Sequence, residues 1–381
     1  MKKMIKIIGV IVSIALVLGS FVSCGSRVVP NVYNAGMSKL EVHATYNGIE
    51  EVFRGTVSGT SITIDLPGNI DSWDDISLFL DLNRLEFSAQ LNGTGTAYNY
   101  TNAQNITGVS ISNISSILVK GYTDSDYNTY QDQTYSVTIT KKLYVVYNKN
   151  YGNGGTLQLS TKKLYGNGEK ISLPSEGIER QYYRQFGWST SSTAATPEYN
   201  LGSEINVTSS MVNTGVLDFY ATWSTYHIGQ LLTNVTDVDG NSQTGYVAYI
   251  CGNNDTVKAN SSKPSTNWTY LIVSKYGATR LTGKTWQEAN SGFSGNAYLP
   301  SKTEMNVITD NLLCELCIWQ IFSNASTPSS SWDDFWTATE YNADTTKAYV
   351  ASVKLSDYEV AFQTLSKTTF TLSAIGVSYI N

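Results

Sequence analysis

Histidine, the side chain that most often serves in general acid–base catalysis, is scarce in this sequence. The chain contains two histidines, His43 and His227, which lie far apart. General acid–base catalysis and catalytic triads need a base beside a nucleophile. No nucleophile elbow, phosphate-binding loop or histidine zinc motif accompanies either residue. We therefore expect His43 on a strand face, His227 in a linker, no catalytic residues, and a protein that is not an enzyme.

The spacing of the cysteines gives only weak support for redox or metal chemistry. Cys314 and Cys317 have the spacing of a redox pair, but they lie in a predicted helix without the βαβ setting of a thioredoxin domain. Zinc would need a second pair of ligands, which Cys251 alone does not supply. We predict no metal and no cofactor. The three cysteines are either buried thiols or include one disulfide from Cys251 to Cys314 or Cys317, which an exported chain permits.

Acidic residues recur in patterns that invite two further interpretations. Alternating oxygens at 237–241 could converge on calcium, but the glycine comes early and no bidentate glutamate follows at loop spacing. A turn that uses Asp239 and Gly240 is the better prediction. Asp333 with Asp334, and Asp71 with the acids at 74–75, are paired as in glycosidases. Solvated loops have the same composition, and we expect both groups of acidic residues to lie in solvated loops.

Tryptophans are concentrated towards the C-terminus, and most should be core because a small domain needs large apolar side chains. Exposed aromatic side chains, by contrast, anchor ligands and interfaces. Trp332 follows serines and precedes two aspartates, so it is the tryptophan that we expect to be exposed and to contact a ligand. The five tryptophans of this region are Trp268, Trp286, Trp319, Trp332 and Trp336.

The first residues have the pattern of an export signal. Lysines precede an apolar, uncharged stretch at 7–22, and Ser23 and Cys24 follow directly. This order resembles a bacterial lipobox, which implies cleavage before Cys24 and acylation of that cysteine. Ordinary signal cleavage or an uncleaved anchor are the alternatives. We expect a signal peptide at 1–23, a tether at 24–36, and a protein held by lipid outside the cytoplasm, at the outer membrane or cell surface.

Composition limits the partners and favours sheets. Charged residues make up 15% of the chain, and the net charge is −6. An acidic chain without a basic cluster after the signal argues against nucleic acid as a partner. Uncharged polar residues alternating with aromatic and β-branched ones suit sheets with one wet face.

Residues 37–142 predict a β-sandwich. Alternating segments occur at 40–46, 60–67 and 134–140, and Asn47-Gly48 predicts a hairpin. The last of these segments resembles the final strand of bacterial immunoglobulin-like or cadherin-like surface domains.

Residues 143–225 carry a more specific pattern. An opening strand at 143–148 precedes glycine-rich turns, and two later segments contain Phe186-Gly187-Trp188-Ser189 and Tyr220-Ala221-Thr222-Trp223. This order resembles the β-grasp repeat of internalin-type bacterial surface proteins. That resemblance implies a spacer or interaction module. Trp188 and Trp223 would be its large apolar anchors.

Residues 226–381 predict an α+β domain. Ser301 and Glu304 form a capping-box pattern at the start of a helix, and strands follow from Phe335. The segments 299–304 and 336–339 resemble the hallmarks of a bacterial domain related to C-type-lectin and formylglycine-enzyme folds, although Ala297-Tyr298 departs from its aspartate-tryptophan-arginine lead.

The sequence thus predicts a mainly β, multidomain chain made of an Ig-like β-sandwich, a β-grasp repeat and a C-type-lectin-like α+β domain. The function that we expect is a lipid-anchored envelope protein whose last domain binds a glycan or protein ligand in adhesion. The alternatives are a structural envelope lipoprotein without a specific ligand and, more remotely, a secreted hydrolase.

Overall fold

A computed structural model describes most of the chain after the predicted tether. The described residues are 36–82, 85–93, 98–101, 105–122, 130–151, 156–157, 163–252, 255–263, 267–274, 280–293, 297–316, 318, 321–323 and 330–381. They are mainly β, with several sheets and short helices. No helix within these ranges is long and apolar enough to cross a membrane.

The chain divides into two compact units. Unit 1 contains Asp74–Ile139 and the described residues up to Ile64, and unit 2 contains Asp65–Trp73 and Thr140–Asn381. Residues 143–225 and 226–381, predicted as separate modules, therefore fall within one unit. The short excursion 65–73 belongs to unit 2 because the Gly68 amide donates to the Lys142 carbonyl over 3.0 Å and Trp73 packs edge-on against Tyr144.

Unit 1 is built from antiparallel strands. One sheet has the order β2-β1-β5-β8, and in the other β9 pairs with both β6 and β10, while β7 pairs with β6. The strands up to β10, which continues into unit 2, are β1 (Met37–Tyr46), β2 (Ile49–Arg54), β3 (Thr56–Ser58), β4 (Ser61–Pro67), β5 (Asp74–Leu82), β6 (Leu85–Asn92), β7 (Tyr98–Thr101), β8 (Asn105–Thr107), β9 (Ser116–Tyr122) and β10 (Tyr130–Asn148). A 3-10 turn at Ile111–Asn113 lies in unit 1, and one at Ile70–Ser72 lies in the excursion that belongs to unit 2.

Local sequence explains several of these strands. In β4, the side chains of Ile62, Ile64 and Leu66 are buried while those between them are exposed, as the alternation predicts. Asn47 and Gly48 both have positive φ and join β1 to β2 in a two-residue loop. The predicted hairpin is confirmed, since asparagine and glycine tolerate that backbone conformation.

The first part of unit 2 continues from β10, whose second half pairs in parallel with the last strand of this region. Its elements are β11 (Thr156–Leu157), β12 (Leu164–Tyr165), β13 (Lys170–Ser172), β14 (Gln185–Ser189), β15 (Tyr199–Asn200), β16 (Glu204–Asn206), α1 (Ser209–Thr214) and β17 (Val216–Trp223).

Trp188 and Phe219 are the fully buried aromatic side chains of this region. Trp223 is only half-buried, and its indole N–H donates to the Lys149 carbonyl over 2.8 Å. Trp188 is therefore the core anchor that the sequence predicts, while Trp223 lies at the edge of the core. Gly187 sits where a Cβ would come within 2.2 Å of the Tyr199 carbonyl oxygen, which explains the glycine before Trp188.

The rest of unit 2 combines two sheets with short helices. The sheets have the orders β18-β19-β20-β26 and β21-β25-β22-β23-β24. The elements are β18 (Leu231–Thr236), β19 (Ser242–Ile250), α2 (Thr256–Ala259), β20 (Tyr270–Ser274), β21 (Arg280–Lys284), α3 (Trp286–Gly292), α4 (Lys302–Ile308), a π-helical segment at Thr309–Glu315, β22 (Trp332–Glu340), β23 (Lys347–Lys354), β24 (Glu359–Ser366), β25 (Leu372–Ile375) and β26 (Val377–Ile380).

A buried carboxylate organises this region. Ser301 and Glu304 form the predicted capping box, which is confirmed. Glu304 also accepts hydrogen bonds from the Ser262 amide over 3.1 Å and from the Tyr379 hydroxyl over 2.8 Å. One carboxylate therefore holds the start of α4, the segment after α2 and the final strand together.

Candidate ligand-binding face

No disulfide joins Cys251 to Cys314, one of the two pairings that the sequence left open. Cys251 is buried and its thiol donates to the Gly252 carbonyl over 3.3 Å, while exposed Cys314 donates to the Tyr358 carbonyl over 3.3 Å. Burial raises the pKa of the Cys251 thiol, which disfavours a reactive thiolate. Cys24 and Cys317 lie outside the described residues, so lipid attachment and a disulfide that involves Cys317 stay predictions.

The acidic segments have structural partners. Asp237 accepts from the amides of Asp239 and Asn241 and from the Gln243 side chain, and Gly240 closes the turn with φ of 85°. The predicted turn between β18 and β19 is confirmed. Among the described residues, no group of three or more His, Cys, Asp or Glu side chains is arranged to hold a metal ion.

The two histidines also occupy separate places. His43 lies in β1 beside Glu50, and the His227 ring packs against Tyr183 between β17 and β18. The acidic pair Asp333 and Asp334 lies in strand β22, where a loop was expected. The two residues are neighbours in that strand and so project to opposite faces of the sheet.

The tryptophans divide as the sequence predicts, apart from Trp319, which is outside the described part. Trp268, Trp286 and Trp336 are buried, whereas Trp332 is 47% exposed. The exposure of Trp332 is confirmed, and its contact with a ligand stays a prediction. Trp332 is the first residue of β22 rather than part of the preceding serine-rich segment, so the sheet fixes its position.

Strand register determines what surrounds Trp332. It pairs with Lys354 of β23, which pairs with Glu359 of β24. Two residues along, Asp334 pairs with Ser352, and Ser352 with Ala361. Residues two apart share a face, so these side chains belong to one surface together with Gln363. We name it the open face, and its residues are Trp332, Asp334, Ser352, Lys354, Glu359, Ala361 and Gln363.

The same sheet face is closed at its other end. Trp336 is fully buried there beside Trp286 of α3, and its indole N–H donates to the Lys284 carbonyl over 2.9 Å. The indole of Trp286 donates to the Thr337 carbonyl over 2.8 Å. Helix α3 thus covers one half of the face, while Trp332, Glu359 and Ala361 in the other half are exposed. Ser352, which lies between them, is buried.

Polar groups on the open face are held in place. The Gln363 amide donates to the Ser352 hydroxyl over 2.9 Å and lies 3.4 Å from an Asp334 carboxylate oxygen. Lys354 pairs with Asp357, which raises the pKa of the lysine. Carboxylate, amide and ammonium groups therefore supply both acceptors and donors on the same face as one exposed indole.

The dimensions of the open face follow from sheet geometry. Three strands at their usual spacing make it about 10 Å wide, and the distance from the Trp332 row to the Gln363 row is about 13 Å. Glu359, Ala361 and Gln363 are all exposed along β24. A face of this size can contact an extended ligand that lies across the strands.

Sequence reasoning identified Trp332 but missed Lys354, Glu359 and Gln363 as residues of the same face. The alternating exposure of β24 is present in the sequence as a period of two. That period assigns residues to faces, but it does not give the register between strands. Comparisons of the chain with known protein families, with curated proteins and with solved structures find no match.

Proposed function

We propose that the protein is an envelope lipoprotein, anchored through Cys24, that binds a glycan on the open face. The observation that carries the binding proposal is the exposed indole of Trp332 among fixed polar side chains of one sheet. A buried tryptophan stabilises a core, whereas an indole left 47% exposed at a strand position contributes apolar surface for a partner.

The composition of the open face favours a sugar over a protein partner. Protein interfaces have an apolar centre that is depleted of charged residues. Here a single aromatic ring shares one sheet face with Asp334, Lys354 and Glu359, and with the amide of Gln363. The C–H face of a sugar ring can stack on the indole while its hydroxyl groups bond to these donors and acceptors.

We also propose a specific fold for each of the three modules. The two antiparallel sheets of unit 1 support an Ig-like sandwich. Parallel pairing of β10 with β17, with helix α1 between them in sequence, supports a β-grasp module. The capping box of α4 and the two sheets that β25 and β26 connect support a lectin-like domain. We propose that the first two modules carry the third away from the membrane, and that the protein binds rather than catalyses.

A glycan array probed with the full-length chain tests the binding proposal. We expect saturable binding to a subset of glycans. Trp332→Ala should lower the affinity by about tenfold or more, because an indole contact that the ligand buries contributes about 1.4 kcal/mol or more. Phe370→Ala is the matched control, because Phe370 is 42% exposed in the same unit but lies outside the open face. Absence of binding by folded wild-type chain, or equal loss in both variants, contradicts the proposal; binding only to immobilised proteins favours a protein ligand.

The anchor is tested separately. We expect a bacterium that expresses the chain to incorporate a labelled fatty acid into it. Cys24→Ser should abolish the label and release the protein from the membrane fraction, whereas Cys314→Ser should change neither. Label that persists in Cys24→Ser contradicts the proposed attachment site.

A further inference from the structure

A second surface in unit 2 surrounds the guanidinium of Arg180 with aromatic rings. Its carbon Cζ lies 3.6 Å from the centroid of the Tyr183 ring, 5.1 Å from that of Tyr151 and 5.4 Å from that of Trp223. We name these four residues the Arg180 cluster. They are separate from the open face, since none belongs to β22, β23 or β24.

Two of the rings are fixed by hydrogen bonds to the backbone. The Tyr151 hydroxyl donates to the Glu179 carbonyl over 3.0 Å, and the Trp223 indole donates to the Lys149 carbonyl over 2.8 Å. Tyr151 and Trp223 also pack edge to face at 5.2 Å. The guanidinium is therefore oriented in advance by stacking, and less side-chain entropy is lost when it binds a partner.

Stacking uses the flat face of a guanidinium and leaves its N–H edge for hydrogen bonds. Among the described residues, no carboxylate pairs with Arg180. Arg184, four residues later, differs in this respect. It donates to the Ile250 carbonyl over 2.9 Å and pairs with Asp255 at 3.1 Å. The contacts of Arg184 therefore stabilise the fold, whereas Arg180 has no acidic partner in the part of the chain that is described.

Arg180 also lines an open cavity. Its volume is about 790 Å³, and Arg180, Tyr183, Ile178 and Leu201 are among the residues that line it. Apolar contacts from Ile178 and Leu201 and a fixed guanidinium are together what a small ligand with one acidic group requires.

We infer that the Arg180 cluster binds a carboxylate, as carried by an acidic sugar. A planar carboxylate accepts two parallel hydrogen bonds from a guanidinium. Arg184 also lines the cavity but is paired with Asp255, so Arg180 supplies the one lining cation without an acidic partner among the described residues. A single such charge matches the charge of a carboxylate better than the greater charge of a phosphate. The site would add a contact for acidic polysaccharide that does not depend on Trp332.

The test titrates full-length chain with an oligomer of galacturonic acid, and with the neutral oligomer of galactose of the same length as a control ligand. We expect the acidic oligomer to bind and the neutral one to bind at least about tenfold more weakly, as expected for loss of a charge-assisted pair. This comparison needs no variant, so it stands even where a substitution affects folding. Failure of the wild-type chain to bind the acidic oligomer, or equal binding of both, overturns the inference.

Variants locate the site. Arg180→Gln should lose the preference for the acidic oligomer, and Arg180→Lys should retain only part of it because an ammonium cannot form the two-pronged contact. Lys170→Gln removes an exposed cation of the same region that already pairs with Glu204, and it should bind as wild type does. Unchanged acidic preference in Arg180→Gln overturns the assignment. Binding of inorganic phosphate in preference to the carboxylate also overturns it.

Discussion

The hydroxyl of Tyr379 donates a 2.8 Å hydrogen bond to the carboxylate of Glu304, and both side chains are buried. They come from the last strand and from the first turn of α4, so the bond joins segments that are far apart in the sequence. The other oxygen of the carboxylate accepts from the amides of Ser301 and Ser262. Glu304 is thus the point at which three segments of unit 2 are connected.

Tyr379→Phe should lower the free energy of unfolding of unit 2 by about 1–3 kcal/mol, because a buried acceptor loses its donor. Urea unfolding monitored by tryptophan fluorescence measures the change. Tyr341→Phe removes the hydroxyl of a tyrosine that packs edge-on against Tyr349, and it serves as control with little expected effect. Equal stability of wild type and Tyr379→Phe would contradict the role given to this bond.

The stability of unit 2 should also depend on the ionisation of Glu304. Burial raises the pKa of Glu304 above its usual value of 4.5, although hydrogen bonds from Ser301 and Tyr379 oppose this rise. Above pH 4.5 the unfolded chain loses this proton while the folded chain retains it, so the free energy of unfolding falls as pH rises towards the folded-state pKa. Glu304→Gln removes this contribution. From pH 4.5 upward, the free energy of unfolding of wild type should therefore fall relative to that of Glu304→Gln. A difference between the two that is constant with pH would contradict the raised pKa.

Unit 1 should respond to acid in the opposite direction. Burial acts to raise the pKa of Glu41, but hydrogen bonds from Lys39 and Arg54 outweigh it and lower the pKa to about 2. The stabilisation is present above the unfolded pKa of 4.5 and is lost as pH falls towards 2. Acid unfolding followed by circular dichroism should begin at higher pH in Arg54→Gln than in wild type. Identical acid transitions would show that Arg54 does not hold Glu41 ionised.

Gly187→Ala should destabilise unit 2 by about 1–3 kcal/mol, the usual cost of overpacking. The added Cβ would meet the Tyr199 carbonyl oxygen at 2.2 Å and the Pro197 side chain at 2.7 Å. Gly177→Ala is the matched control, since its Cβ would meet only ordinary contacts at 3.5 Å or more. Thermal unfolding distinguishes them, and a Gly187→Ala variant as stable as Gly177→Ala would be evidence against the close strand approach.

Gln363→Ala should weaken glycan binding by about five- to tenfold without loss of stability, because one hydrogen-bonding side chain is removed from the surface of β24. Isothermal titration calorimetry measures the affinity. Gln287→Ala, at an exposed position of α3, should bind as wild type does. If both variants bind equally, Gln363 is not part of the contact.

Local features of the fold were predictable from the sequence. The Asn47-Gly48 hairpin and the Ser301–Glu304 capping box depend on residues within one turn of each other, and both occur as predicted. Met305 and Ile308 of the same helix are three residues apart and both are buried, as expected for one face of a helix. These patterns are local, because the backbone conformation or the hydrogen bond lies within the motif itself.

Features that depend on distant segments were not predictable. The sequence suggests two strands, at 134–140 and 143–148, with a module boundary between them, whereas β10 runs unbroken through Lys141 and Lys142. Two polar residues interrupt the alternation without ending the extended backbone. The partners of Glu304 in Ser262 and Tyr379, and the approach of Gln363 to Asp334, likewise arise from tertiary packing.

The most direct test of the binding proposal is the indole N–H spectrum of the chain during titration with a glycan selected on the array. Trp332→Phe assigns the Trp332 signal by its disappearance. We predict a saturable shift of this signal, while the signals of buried Trp336 and Trp286, whose indoles bond to Lys284 and Thr337, change little. Saturable binding that leaves the Trp332 signal unmoved would contradict the account, because the ligand would then occupy another surface.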